Sequence, residues 1–258
     1  MKIDFGHTAN DYSRHRRGFP DSFFDRIWDA FQPALNGDAA VLDLGTGTGT
    51  VARGLAKRIH NVTGLDPSHS LLNQAQAISQ QEGVSPDFVQ ARAERLPFAD
   101  HSFDVVLAGQ CWHWFDGTQA AEAVWRVLKP DGLVLIAHFD WIPLKGNVVA
   151  ATEQLIRQYN PAWDMHDGYG IYPKWLRHLG EQGFSQLECF TYDEAVLYSH
   201  DDWQGRIRAS AGVGASLNTK EVAAFDEALG LTLKAHYPQN PMMVPHRISV
   251  VSGHKKTD

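Results

Sequence analysis

Residues able to do chemistry gather in two short stretches of the chain. The first is Asp43-Leu44-Gly45-Thr46-Gly47-Thr48-Gly49, followed about 20 residues later by Asp66 at the end of a second apolar run. Glycine admits φ > 0 and lets a ligand approach the backbone without meeting a Cβ. A helix starting behind such a turn presents unpaired N–H groups, and an acid closing the second strand accepts hydrogen bonds from ribose hydroxyls. This is the chemistry of an adenosine-containing cofactor. The second stretch, Gly109-Gln110-Cys111-Trp112-His113-Trp114-Phe115-Asp116, puts three aromatics and a histidine into four residues. Aromatic faces attract cations, and a histidine titrates near neutrality.

The glycine positions select among cofactors. A dinucleotide fingerprint has glycines at its first, third and sixth places. Here they stand at the first, third and fifth, with Thr50 in sixth place. Asp43, two residues before the first glycine, would repel a pyrophosphate and suits a ligand that carries a positive charge. Nicotinamide and flavin dinucleotides are thereby disfavoured.

The elements that must position these stretches follow from apolar patterning. Strand-like runs recur at Ala39–Leu44, Asn61–Asp66, Asp87–Ala91, Phe103–Ala108 and Leu133–Ala137. Helical patterns lie between them at about Val51–Arg58, Ser70–Gln81 and Gly117–Leu128. Alternation of this kind predicts an α/β fold with a parallel sheet covered on both faces. Ligands then bind beyond the carboxyl ends of the strands, where the loops after Leu44, Asp66, Ala91 and Ala108 all open. Beyond Ala137, Tyr172–Gln182 is predicted helical, with Pro173 in its first turn and Gly183 as the stop. Leu187–Val196 and His246–Ser252 are predicted to be an antiparallel pair completing the sheet. Two helical patterns near Ser199–Ala209 and Thr219–Ala235 lie between them, and Phe19–Phe31 is amphipathic.

Composition bounds the rest. The chain has 258 residues, 43% of them hydrophobic, enough for one good core. A net charge of -7, spread in both signs along the chain, argues against a duplex nucleic-acid partner. Cys111 and Cys189, the two cysteines, fit neither a zinc spacing nor a disulfide framework. No metal is expected. With no apolar leader and no run approaching a membrane span, a cytoplasmic protein, monomer or homodimer, is expected.

The chain resembles the class I S-adenosylmethionine-dependent methyltransferases. Asp43–Gly49 resembles their glycine-rich first motif and Asp66 their second-strand acid. Ala91-Arg92-Ala93-Glu94-Arg95-Leu96-Pro97-Phe98 is similar to the loop framing the adenine in the branch that holds ubiquinone-biosynthesis-type and trans-aconitate-type enzymes. Ser102-Phe103-Asp104-Val105-Val106 resembles the family's fourth strand, and Val127-Leu128-Lys129-Pro130-Asp131-Gly132-Leu133 its turn into the fifth. The likeness runs over about Ala39–Ala137. The trans-aconitate-type enzymes also carry a similar Trp-His-Trp-Phe run. The resemblance implies a Rossmann-like fold: a mostly parallel sheet with an antiparallel last strand, helices on both faces and helical lid elements. One domain is expected, with N-terminal lid helices in 1–35, a cofactor-binding core in 36–138, and a substrate-side half in 139–258 carrying a helical insert near 199–240.

By the same resemblance, S-adenosyl-L-methionine is the cofactor. Gly45, Gly47 and Gly49 shape the wall beside its methionine part, and Asp66, followed by Pro67, holds the ribose diol. Asp43 faces the ammonium group or caps nearby backbone. Ala93 and Glu94 occupy the adenine-edge positions, although Arg92 stands where many relatives carry an acid, and Glu94 has a solvated surface acid as its other reading. Gln110 joins the cofactor set. Tyr12 and Arg14-His15-Arg16-Arg17 resemble the branch's N-terminal lid approach, where Arg17 either pairs with the methionine carboxylate or lies in a solvated turn. Trp112, Trp114, Tyr172, Arg206 and His246 are candidates for the substrate pocket, with Arg208 and Arg247 beside them as possible anion partners and Trp141 and Tyr169 as further lining; packing and scattered surface charge are the alternatives. His113 is either a general base or a hydrogen-bonded wall residue. Cys111 is a small buried hydrophobe.

The expected function is methyl transfer to a small molecule, at the oxygen of a carboxylate or hydroxyl, by in-line displacement in a lidded pocket. Orientation alone supplies roughly 7–11 kcal/mol in such reactions. An ionised carboxylate needs no base, whereas a hydroxyl does. The alternatives are an RNA or protein methyltransferase, or a non-catalytic S-adenosylmethionine-binding protein.

Overall fold

The apolar runs form strands. The computed structural model describes residues 18–256, so Tyr12 and Arg14–Arg17 lie outside the described residues. The strands are β1 (Ala40–Leu44), β2 (Asn61–Asp66), β3 (Asp87–Gln90), β4 (Phe103–Gly109), β5 (Leu128–Trp141), β6 (Ser185–Tyr198) and β7 (Met242–His254). They make one sheet in the order β3-β2-β1-β4-β5-β7-β6. The first five are parallel. β7 runs antiparallel to β5: Ile142 N–H donates to Pro245 O, while Asp131 N–H and Lys255 N–H bond Lys255 O and Gly132 O at the far end. The predicted strand Leu133–Ala137 is therefore extended in both directions, because the Lys129–Gly132 turn and the segment after Ala137 both find partners along β7.

Local signals set the helices. In chain order they are α1 (Asp21–Ala30), α2 (Thr50–Ala56), α3 (His69–Glu82), α4 (Gly117–Val127), α5 (Val148–Tyr159), α6 (Pro173–Gln182), α7 (His200–Arg208) and α8 (Thr219–His236). Side chains of Ser68, Asp116, Asn147, Ser199 and Asn218 accept backbone N–H bonds at the starts of α3, α4, α5, α7 and α8. Each such cap contributes about 0.5–2 kcal/mol. Gly183, at φ 103°, ends α6 in the left-handed region, as its sequence position predicts. Helix α5 is absent from the sequence expectations. Its signal is legible afterwards: Asn147 caps it, and Val148, Val149, Thr152, Glu153 and Ile156 are buried at helical spacing.

Contacts divide the described chain into two compact units. The first holds Gly18–Phe139, Tyr172–Thr191 and residues 248–256; the second holds Asp140–Ile171 and Tyr192–Arg247. Each has a core of its own. In the first, Leu42, Leu44, Leu65, Val106, Val124 and Ile136 are fully buried between sheet and helices. In the second, Trp203, Tyr198, Phe225, Leu229 and Val244 are closed off from solvent, and Trp203 Nε1–H donates to Thr152 Oγ1 at 3.0 Å.

Register decides what the sheet can present. Leu44 of β1 is level with Leu65 of β2 and Ala108 of β4. Gly109 of β4 is level with Ala137 of β5. Gly45, Asp66, Gln110 and His138 therefore emerge at one end of the first unit's sheet, the carboxyl end that binds ligands in open α/β sheets.

Candidate active site

The glycine loop is folded by its own backbone and by two buried acids, Asp43 and Asp66. Thr46 N–H donates to Leu65 O at 2.9 Å and Gly49 N–H to Thr46 O at 2.8 Å. Gly45 and Gly47 both have φ 58° and Gly49 has φ 80°, a region where side chains cost about 1–2 kcal/mol. A Cβ on Gly45 would lie 2.8 Å from Cys111 Cβ and 3.1 Å from Phe115 Cζ. A Cβ on Gly47 would meet nothing within 4 Å, so the backbone there borders open space. Asp43, 1% exposed, accepts from Thr46 Oγ1 at 2.6 Å and from Ala52 N–H at 3.0 Å. It thus caps the third residue of α2 from the strand that precedes it. Burial pushes its carboxyl up from 3.8 to about 7, opposed by those two hydrogen bonds.

Asp66 fastens the neighbouring loop. One carboxyl oxygen accepts from Gly47 N–H at 3.0 Å, the other from Ser68 N–H at 2.8 Å. Burial raises its pKa, with the two backbone bonds opposing. Each oxygen of a carboxylate can accept a second bond, which is the capacity a ribose diol requires. Pro67, next to it, is exposed and its carbonyl accepts from Gln90 Nε2 at 3.0 Å. Ala93 is 3% exposed. Glu94 is not a solvated surface acid: it accepts from Asp116 N–H at 3.2 Å and lies 3.5 Å from Arg92 Nε. The Ala91–Phe98 loop is therefore tied to the end of the aromatic loop.

The aromatic loop turns sharply out of β4. Gln110 adopts φ 59°, with its N–H donated to Ala137 O at 2.8 Å. Cys111 Sγ donates to Leu44 O at 3.0 Å beneath Gly45, the role of a small buried residue. Trp112–Trp114 is one turn of 3-10 helix that sends successive rings to different places. Trp112 is 1% exposed in the core, with Nε1–H donated to His178 Nδ1 of α6 at 3.1 Å. Trp114 is 48% exposed, and its ring centroid lies 4.4 Å from that of His113. His113 is exposed and shares a hydrogen bond with His138 at 3.2 Å; His138 shares another with Tyr172 Oη at 3.2 Å. His138 is absent from the sequence expectations because the predicted strand stopped at Ala137, one residue short. His178 had only helical spacing from Trp175 and Leu179 to mark it as inward-facing.

Arg206 and His246 belong to the second unit. The Arg206 guanidinium lies 4.8 Å from the Trp141 ring centre, a cation–π contact. His246, 3% exposed, shares a hydrogen bond with Val244 O at 2.9 Å and stacks on Tyr198. Burial lowers its pKa to about 4, so the ring is neutral at pH 7. Trp141 Nε1–H donates to Glu153 at 2.8 Å. Arg208 pairs with Asp226, and Arg247 with Asp193 and the carbonyl of Tyr169. Tyr169 itself is 73% exposed.

Comparison with known proteins agrees with this geometry. Residues 42–136 match the methyltransferase-domain family model. An uncharacterised methyltransferase of Mycobacterium tuberculosis is 34% identical over 132 residues, 51% of this chain and 50% of that protein. The ubiquinone/menaquinone biosynthesis C-methyltransferase UbiE of Vibrio parahaemolyticus is 32% identical over 186 residues, 69% of this chain and 65% of its own length. The chain thus spans about half the length of the mycobacterial relative it matches. The solved structure of phosphoethanolamine N-methyltransferase 2 from Haemonchus contortus, in complex with S-adenosyl-L-methionine, has a TM-score of 0.57 at 17% identity, covering 98% of this chain and 58% of that one. Among the described residues no helix is long and apolar enough to cross a membrane. The strand order, the glycine loop with its two acids, and these matches together show that the chain carries a class I methyltransferase domain, whose cofactor is S-adenosyl-L-methionine.

Proposed function

We propose that this chain transfers a methyl group from S-adenosylmethionine to an oxygen atom of a small acceptor, a carboxylate or a hydroxyl, in a pocket closed by lid segments. The observation that carries the proposal is the abutment of two loops: Cys111 and Phe115 occupy the space a Gly45 side chain would take. Residues that would border the acceptor are thereby set against residues that would hold the donor. The residues fit the cofactor. Gly47 leaves its backbone open, and Asp66 has acceptor capacity left for a diol. Asp43 is a buried acid whose charged form a nearby ammonium group would favour. Ala93, Glu94 and Gln110 would border the adenosine part. When bound, the cofactor supplies a methyl group activated on a positively charged sulfur. Trp114, His113 and Tyr172 would face the acceptor, and the exposed Trp114 ring offers an apolar, cation-attracting face. The net charge of -7 disfavours a polyanionic acceptor.

A second reading is transfer to carbon, favoured by the likeness to a UbiE C-methyltransferase. A cofactor-supplied screen of small acids, hydroxyl compounds, carbon acids and amines, with the demethylated cofactor as readout, tests both. Turnover confined to acids or hydroxyls supports the first, and turnover confined to carbon acids the second. Cofactor binding with no turnover on any class would leave a non-catalytic binding protein, and tight salt-dependent RNA binding a macromolecular enzyme.

A further inference from the structure

Three side chains from three separate segments form one hydrogen-bonded line behind the aromatic loop. His113, in the turn after β4, bonds through Nδ1 to Nε2 of His138 near the end of β5, at 3.2 Å. His138 bonds through Nδ1 to the hydroxyl of Tyr172, just before α6, also at 3.2 Å. The middle member is fixed on every side. His138 is 7% exposed and packs against Tyr172 and Trp175, which stack on each other at 4.0 Å and 8°.

A neutral imidazole has one N–H and one acceptor nitrogen. With a partner on each nitrogen, neutral His138 donates to one and accepts from the other, so the two bonds share a direction. That direction sets the tautomer of His113, because the hydrogen bond at one ring nitrogen decides what the other carries. In one setting Tyr172 donates to His138, His138 donates to His113, and His113 carries its proton on Nε2. In the other, His113 donates from Nδ1 to His138, His138 donates to Tyr172 Oη, and His113 Nε2 bears a lone pair.

We propose that His138 and Tyr172 are positioning residues that hold His113 in the second setting, making Nε2 a base for an acceptor that must lose a proton. The inference rests on the methyl-transfer reading and narrows it: the acceptor is a hydroxyl compound or a carbon acid, not a carboxylate. For a hydroxyl the balance is simple. The O–H bond breaks and its proton goes to His113 Nε2; the oxygen keeps the electron pair and forms the bond to the methyl carbon. The carbon–sulfur pair leaves with sulfur, and the proton later passes to solvent. The resulting imidazolium already donates from Nδ1 to His138, a charge-assisted bond. The same geometry cannot operate in the first setting, where His113 presents only a donor.

Ring-nitrogen chemical shifts of ¹⁵N-histidine-labelled protein report tautomers without any acceptor present. The wild type is expected to show His113 with Nε2 unprotonated. Tyr172→Phe keeps the ring stack but removes the acceptor for His138 Nδ1–H, so it is expected to invert the line, protonate His113 Nε2, and lower kcat at least tenfold with cofactor affinity unchanged. A wild-type His113 carrying its proton on Nε2 overturns the assignment, even if the variant folds poorly. So does a Tyr172→Phe protein with the His113 tautomer and kcat unchanged. Turnover confined to carboxylates overturns the narrowing. An expected tautomer with no turnover on any acceptor overturns the methyl-transfer reading and the base with it, an outcome distinct from a wrong tautomer in an active enzyme.

Discussion

The loops after β1 and β4 leave the same end of the same sheet, yet they are built in opposite ways. The glycine loop is made of backbone: three residues at positive φ, turn hydrogen bonds, and two buried acids binding N–H groups. The aromatic loop is made of side chains, each anchored to a distant segment: Cys111 to Leu44, Trp112 to His178, His113 to His138. A surface that must approach a fixed cofactor closely is served by bare backbone, while one that must fit a particular acceptor is served by rings and polar groups. On the proposed reading the glycine loop would face the cofactor and the aromatic loop the acceptor, which would make the donor side generic and the acceptor side individual.

The largest predicted effect separates the buried ring, Trp112, from the exposed one, Trp114. Trp112→Ala empties a core site and is expected to cost about 3–5 kcal/mol of stability in denaturant unfolding. A loss below 1 kcal/mol there would mean that the aromatic loop is not anchored by its side chains.

The glycine loop's anchor is electrostatic and should show in pH. Asp43 titrates near 7 when folded and near 3.8 when unfolded, so between those values the folded state holds a proton the unfolded state lacks. Its contribution is fully present below about pH 4 and lost as pH rises to about 7. Asp43→Asn keeps an acceptor oxygen for Thr46 and Ala52, and relative to it the wild type should lose stability across that window. His246 has the opposite sign. Its folded pKa is depressed to about 4, so its contribution is present above about pH 6.5 and lost as pH falls. His246→Asn should therefore flatten the acid limb. Parallel pH curves for wild type and both variants would contradict the burial argument.

Where the two loops meet, Gly45→Ala must find room against Cys111 and Phe115 as well as tolerate φ 58°. It is expected to cost about 1–3 kcal/mol from overpacking, added to the roughly 1–2 kcal/mol of left-handed strain that Gly47→Ala shares. Equal melting points for the two variants would show that the loops do not abut. The smallest effect is reserved for Trp114→Ala. That ring is half exposed, so stability should change by no more than about 0.5 kcal/mol, while KM or kcat for the acceptor changes.

The same contrast explains what was legible in the sequence. Asn61–Asp66 was marked by its apolar run, and α6 by Pro173 and Gly183, all signals that lie within the element itself. The glycine spacing pointed to S-adenosylmethionine for the same reason: backbone conformation is written locally. Helix α5 is hard to see in the sequence because its cap, Asn147, follows a strand whose true end is Trp141 and not Ala137. That strand is lengthened by pairing with β7, about a hundred residues away, which no local pattern announces. His138 lies in the same stretch, between Ala137 and Trp141. The bonds of Asp43 to Thr46 and Ala52, and of Glu94 to Asp116, likewise depend on side-chain placement across turns rather than on spacing alone.

Calorimetric titration of wild type and Asp66→Ala with S-adenosylmethionine, its demethylated product and NAD tests the central claim most directly. The account predicts one site for the two sulfur ligands, little affinity for NAD, and a loss of roughly 1–3 kcal/mol in the variant as ribose hydrogen bonds disappear. Binding of NAD in preference, or an Asp66→Ala affinity equal to wild type, would contradict it.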